Sequence, residues 1–538
     1  MVALAPFATS YATGGMVCSV DHLASSAGVA MLRAGGNAVD AAIATSAVLA
    51  VTTQHMCGMG GDLFALVHAP GMAEPVVLNS SGRAGSGASA ERLRAEGLTA
   101  IPRLQHVAAV PVPGCVDGWC ALHERFATLE LDVVLEPARR LAADGFPVSP
   151  TLAGSAARAL PAVAGDAAGD YPSGPDLFPG AVMRRPGVAR TLEAIGRGGR
   201  AAFYEGEFGA GLLALGDGEY EPSDLVRVQA DWVDGLSVEV AGWSRRIWTV
   251  PPNSQGYLTL AGAWMADALG PLLPDDPADP RWAHLLVEVA RAVAHDRPDV
   301  LWEGASGPAL LDPARLGPRL AAVSVDSATT SLAAPTAGGG TIYLCTADGA
   351  GMGVSLIQSN YAGFGSLLVE PSTRIFLQNR GAGFSLEAGH PAEYGPGRRP
   401  PHTLAPALVT STDGRTLDCV LGTMGGDSQP QVLLQLLVRR FVAGQDPAAS
   451  VAAARWVLAA AEVGFDVWRG GRGEVQVAVE SHAPAAWFDG LAARGQAVVR
   501  SPSWGGDFGH AHLISFESSG ALAGAADPRS LGGVALGL

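Results

Sequence analysis

The sequence predicts a single layered α/β body, and three observations predict it. Strand-like and helix-like runs alternate along the whole chain, no low-complexity linker separates two halves, and 48% hydrophobic residues among 538 are ample for one large core. Charge then narrows the partner. Only 16% of residues are charged and the formal net charge is −16, whereas nucleic acids and anionic bilayers both reward clustered Lys and Arg. The expected partner is a small-molecule amide or a peptide, with no nucleic acid and no membrane.

Taken from the start, MVALAPFATSYATGGMV has neither the basic opening nor the continuous apolar stretch of a signal peptide. No window reaches the ~20 uninterrupted apolar residues of a membrane span, so a soluble, cytoplasmic protein is expected. In DHLASSAGVAMLRAGG, Asp21 is a good N-cap and Gly35-Gly36 a stop. Asn37, with Asp40 three residues on, opens a second helix in capping-box style, and its apolar surface nearly all round predicts burial. DLFALVHA and PVVLNSSGR read as strands. LEPARRLAADG, GVARTLEAIGRG and RWAHLLVEVARAVAHDR read as amphipathic helices, with strands at LSVEVAGW and RRIWTV. Further on, TIYLCTADGAGMGVSLIQS reads as strand, turn and strand, and LDCVLGTMGGDSQPQVLLQLLVRRF as strand, glycine turn and helix.

Two stretches in this last region have chemical potential. GGGTIYLC sets three glycines against Thr341. A threonine hydroxyl is a weak nucleophile unless a base adjoins it, and its own α-amine, freed by cutting the bond before it and titrating near ~8, can be that base. Gly340 gives the scissile position the backbone freedom such a cut needs. The Gly425-Gly426 turn, between a strand and a helix, offers backbone N–H groups without Cβ obstruction for an oxyanion. Taken alone, either stretch is equally an ordinary glycine loop or strand-to-helix turn.

GGMVCSVDHLASSAGVAMLRAGGNAVDAAIA, VPVPGCVDGW, LAADGFPVS, VPPNSQGYLTL, TIYLCTADGAGMGVSLIQSNYAGFGS and GAADPRS, in this order and spacing, carry a resemblance over nearly the full length. The chain resembles the gamma-glutamyltransferase (gamma-glutamyltranspeptidase) family of N-terminal nucleophile hydrolases. The resemblance implies a four-layer αββα sandwich, self-cleavage between Gly340 and Thr341, a large subunit 1–340 and a small subunit 341–538 that stay associated, and no metal or cofactor. It puts Thr341 at the nucleophile, Ser359 at an assisting hydroxyl, and Gly425 and Gly426 at the oxyanion hole. The implied activity is a self-processing amidohydrolase or acyltransferase acting on gamma-glutamyl-type or related amides through an acyl-threonine.

The substrate positions depart from the family. Its arginine for the glutamyl α-carboxylate falls at Ser81, with Arg83 two residues on. Its carboxylate for the α-amino group falls at Gly383, the neighbouring glutamine at Arg380, and its paired serines at His402 and Thr403. Arg83, Tyr361, Arg380, His402 and Thr403 are therefore the candidate substrate-binding residues. Without an anion for the ammonium, the pocket is expected to take an acyl group that lacks the amino group and ends in a carboxylate, as in the cephalosporin-acylase branch. The alternative is an unprocessed, inactive binding or scaffold protein, a reading helped by the absence of a histidine just after Thr341. His510 and His512 could face one way on a strand but have no third ligand, and Gly58, Gly60 and Gly61 are not followed by the Lys-Ser/Thr of a phosphate loop. The six cysteines contain no C-x-x-C pair and read as reduced core thiols.

Overall fold

In the computed structural model, which describes residues 7–164, 168–172, 174–216, 218–329, 340–460 and 475–538, two seven-stranded antiparallel sheets lie face to face. One has the order Ser10–Ala12, Leu522–Ala526, Ala511–Phe516, Leu417–Thr423, Ala407–Ser411, Arg245–Thr249, Leu236–Val240. The other runs Val534–Gly537, Gly15–Ser19, Gly340–Asp348, Gly353–Tyr361, Asp62–His68, Val76–Ser80, Asp231–Val233. Phe64, Tyr343 and Ile357 from the second sheet pack against Trp248, Leu408, Val420 and Ile514 from the first, so the inner faces make one apolar layer.

Each outer face is covered by helices. His22–Arg33, Ala38–Thr52, Cys115–Phe126, Leu131–Asp144 and Pro186–Tyr204 cover the sheet that holds Thr341. Tyr257–Ala268, Pro280–Ala294 and Gln429–Phe441 cover the other. The result is the expected αββα sandwich. It explains why the strands read as nearly continuous apolar runs: all nine residues of Gly340–Asp348 are buried.

The local signals behave as their chemistry dictates. Asp21 caps the first helix through Leu23 N–H, and Asn37 with Asp40 forms a complete capping box. Every residue of Ala38–Thr52 is buried, because this helix lies between the sheet and its neighbours Cys115–Phe126 and Leu131–Asp144. The helix from Pro186 breaks at Gly199, in the left-handed region at φ +60°, just past the end of the stretch that reads as helical. A small sheet of Trp456–Ala460, Val475–Glu480 and Val498–Ser501 had no counterpart in the sequence reading. Gly338 and Gly339 lie outside the described residues.

Candidate active site

Thr341 sits at the head of an inner strand, where the ladder to Gly353–Tyr361 slips. Gly340 is opposite Tyr361 while Ile342 is opposite Gln358, so the partner strand carries one extra residue. The bulge brings Thr341 Oγ1 within 2.9 Å of Ser359 Oγ. Ser359 Oγ also donates to the Gly340 carbonyl at 2.7 Å and accepts the Tyr361 N–H at 2.8 Å. A hydroxyl has one proton and two lone pairs. With its proton on Gly340 O and one lone pair on Tyr361, Ser359 has one lone pair left, and Thr341 must donate to it. Both hydroxyls are buried.

The strand Leu417–Thr423 ends in the glycine turn. Gly425 and Gly426 have φ of +137° and +56°, conformations that favour glycine, and the helix Gln429–Phe441 begins three residues later. Their carbonyls are used: Gly425 accepts from Ser428 N and Oγ, and Gly426 from Gln255 Nε2 at 2.9 Å. Among the described residues their N–H groups donate to no partner, which makes them two candidate oxyanion donors at a helix N-terminus.

Gln255 connects this turn to the substrate positions, since its Nε2 also donates to Thr403 O at 2.7 Å. Thr403 Oγ1 accepts from Arg380 Nη1 at 3.1 Å. Arg380 is buried with its guanidinium 4.0 Å from the centre of the Tyr361 ring, and its Nε and Nη2 have no partner among the described residues. Burial lowers its pKa to about 10, so it remains a cation at neutral pH. Tyr361 has φ +75°, rare for a residue with a side chain, and burial pushes its phenol up to about 12. Gly383 provides no carboxylate beside Arg380, and the nearby Asp427 is held by Arg297 at 2.8 Å.

His402 and Arg83 turn out to have other partners. His402 Nδ1 accepts the Leu404 N–H, so Nε2 carries the proton and donates to Asp62 Oδ2 at 3.0 Å. The other Asp62 oxygen accepts from Gly82 N and Gln378 Nε2. Arg83 is paired with Asp231 at 2.8 Å and Glu303 at 2.7 Å and also donates to the Gly397 carbonyl, so of the two expected pocket cations it is Arg380 that has no carboxylate at ion-pair distance among the described residues. Sequence reasoning missed Asp62, which reads only as the start of a strand, and Gln255, which sits unremarked within VPPNSQGYLTL.

Four buried histidines give the fold an acid limit. Burial, first among the causes at each, lowers His55, His402 and His512 to about 3 and His510 to about 4, from an ordinary 6.5. They are neutral when folded, while the unfolded chain takes up protons below about 6.5. Stability is therefore full above that pH and falls as pH drops towards 4. The thermal midpoint is expected to fall progressively from pH 7 to pH 5, and a flat profile over this range would contradict the assignment. His510 and His512 do not make a metal site: among the described residues no group of three or more His, Cys, Asp or Glu could hold an ion.

Two antiparallel sheets between helical layers, with a hydroxyl residue heading an inner strand, define the class of the N-terminal nucleophile hydrolases. Cephalosporin acylase from Bacillus halodurans superposes with a TM-score of 0.88 at 31% identity, over 100% of this chain and 98% of that one. The chain belongs to the gamma-glutamyltranspeptidase family, which it matches over residues 24–537. It is 33% identical to the glutathione hydrolase-like YwrD proenzyme of Bacillus subtilis, covering 97% of this chain and 98% of the relative. It is also 33% identical to the oxamate amidohydrolase proenzyme of Klebsiella pneumoniae, covering 98% and 99%. The protein is thus an amide hydrolase of a self-processing family, and nothing in these likenesses favours the scaffold reading. No helix among the described residues is long and apolar enough to cross a membrane.

Proposed function

We propose that the chain cuts itself between Gly340 and Thr341 and then cleaves amides whose acyl group ends in a carboxylate and lacks an α-amino group. The observation that carries this reading is Arg380: a buried cation with two donor nitrogens that have no partner among the described residues, joined through Thr403 and Gln255 to the Gly425-Gly426 turn. Leaving a buried charge unpaired costs several kcal/mol, and an anionic acyl group would offset that cost. An ammonium there would meet Arg380, and the nearby carboxylate, Asp427, is already paired with Arg297. Oxamate, named in one relative's activity, is an amide of this kind.

In the first step Thr341 Oγ attacks the Gly340 carbonyl carbon, giving its proton to Ser359, whose own proton is already directed at the Gly340 oxygen. Collapse breaks the Gly340 C–Thr341 N bond and leaves an ester, which water hydrolyses. Thr341 then heads residues 341–538 with a free amine. Both sheets are built from strands of 1–340 and of 341–538 hydrogen-bonded to one another, which supports subunits that remain together. In each later turnover the amine takes the hydroxyl proton, the Gly425 and Gly426 amides stabilise the oxyanion, and water or an amine accepts the acyl group. Six free cysteines, five of them buried, support a reducing, cytoplasmic setting.

Two measurements test the reading. The processed protein is expected to cleave a glutaryl anilide with a kcat/KM about tenfold or more above that for the gamma-glutamyl anilide; the reverse order would overturn the acyl assignment. Ser359→Ala is expected to slow self-cleavage by about 10²-fold or more, followed as fragment appearance on a denaturing gel, while Ser359→Thr preserves it.

A further inference from the structure

One cavity has no role in the chemistry above. It has a volume of 330 Å³, and Met56, Val148, Pro150, Thr151, Leu531 and His510 contribute to its wall. His510 is 95% buried by its 5% exposure, yet neither ring nitrogen meets a partner at hydrogen-bond geometry, the nearby Arg529 backbone included. The carboxylate in the wall, Asp21, is occupied by Leu23 N–H and the Thr52 hydroxyl. The wall is thus mostly apolar, and besides His22, which lies 3.6 Å from Asp21, it holds one buried imidazole, His510, without a partner among the described residues.

Its position follows from the same hydrogen bonds that define the catalytic turn. The Met424 N–H, just before Gly425, donates to His510 O at 3.3 Å. The Asn360 N–H, just after Ser359, donates to Met56 O at 3.2 Å. Gln255, Thr403 and Arg380 are reached instead through Gly426, at the other end of the turn. The carboxylate-binding side is thus tied to the turn at Gly426, and this cavity's wall to the residues on the other side of Gly425 and next to Ser359.

We infer that this cavity receives the amine half of the scissile amide, an uncharged apolar group of ring size with one polar atom for His510. The inference rests on the acyl-transfer reading above. The test uses amides of one acid, a primary amide and a 2-naphthylamide, with the processed protein. Thr151→Trp, at a partly exposed wall position where the larger side chain can be accommodated, is expected to lower the ratio of naphthylamide to primary-amide kcat/KM about tenfold or more. Leu531→Trp, at an exposed wall residue, should act the same way. In parallel, 2-naphthylamine is titrated into unprocessed Thr341→Ala protein by fluorescence, with binding expected and then lost in the Thr151→Trp background. A ratio that does not move in either variant, or naphthylamine binding indifferent to Thr151→Trp, would overturn the inference. Failure to turn over any amide would instead sink the acyl-transfer reading, while the titration still decides the cavity.

Discussion

Thr341→Ala protein is expected to run on a denaturing gel as one 54.8 kDa chain and to lose anilide hydrolysis by about 10⁴-fold or more. The loss is large because two functions share one atom. Oγ1 is the nucleophile that cuts the Gly340–Thr341 bond, and without the cut the α-amine that serves as base is never released. The structural cost is small by comparison. Removing the hydroxyl leaves one lone pair of Ser359 unfilled, an effect of about 1 kcal/mol, so the thermal midpoint should stay within a few degrees of the parent's. Thr341→Ser keeps the oxygen and is expected to process, more slowly, since serine lacks the methyl group that restricts rotation about χ1. Intact mass decides the matter. A Thr341→Ala chain that still yields a fragment beginning at residue 341 would remove Thr341 from the chemistry.

Much of this was legible in the sequence because it depends on neighbours along the chain. Asp21, Asn37 and Asp40 cap helices within three residues of themselves, and the glycines at 425 and 426 make a strand-to-helix turn from their own backbone freedom. The layering was legible through resemblance, but not the strand order. Nothing local says that Gly340–Asp348 enters between Gly15–Ser19 and Gly353–Tyr361, or that a bulge opposite Thr341 aims it at Ser359. The pocket was least legible, because a side chain's availability depends on distant partners. Arg83 and Arg380 are alike as sequence; Asp231 and Glu303, far along the chain, pair with the first, and no carboxylate among the described residues stands at ion-pair distance from the second. His402 could be placed near the site from resemblance, but its partner Asp62 is 340 positions away.

That difference between the two arginines yields the second large effect. Arg380→Met is expected to lower kcat/KM for a glutaryl anilide by about 10²–10³-fold, about 3–4 kcal/mol, within the range typical of removing one partner from a desolvated charge pair. Stability should move the other way. The side chain gives up one hydrogen bond to Thr403 and its packing on Tyr361, but removal also relieves the burial of a guanidinium with no carboxylate at ion-pair distance among the described residues, and replacing buried charge by an apolar chain of similar volume is often neutral or stabilising. The thermal midpoint is therefore expected to hold or rise as activity falls. Arg83→Met should show the opposite signature. It strands Asp231 and Glu303, whose side chains are 44% and 33% exposed, and Arg399 still reaches Asp231 at 2.7 Å. Solvent and this second cation limit the destabilisation to about 1 kcal/mol or less, and discrimination between glutaryl and gamma-glutamyl substrates should be kept. Calorimetry and steady-state kinetics on the two variants side by side decide which cation serves the substrate. If selectivity follows Arg83, the burial of Arg380 answers to something other than an acyl carboxylate.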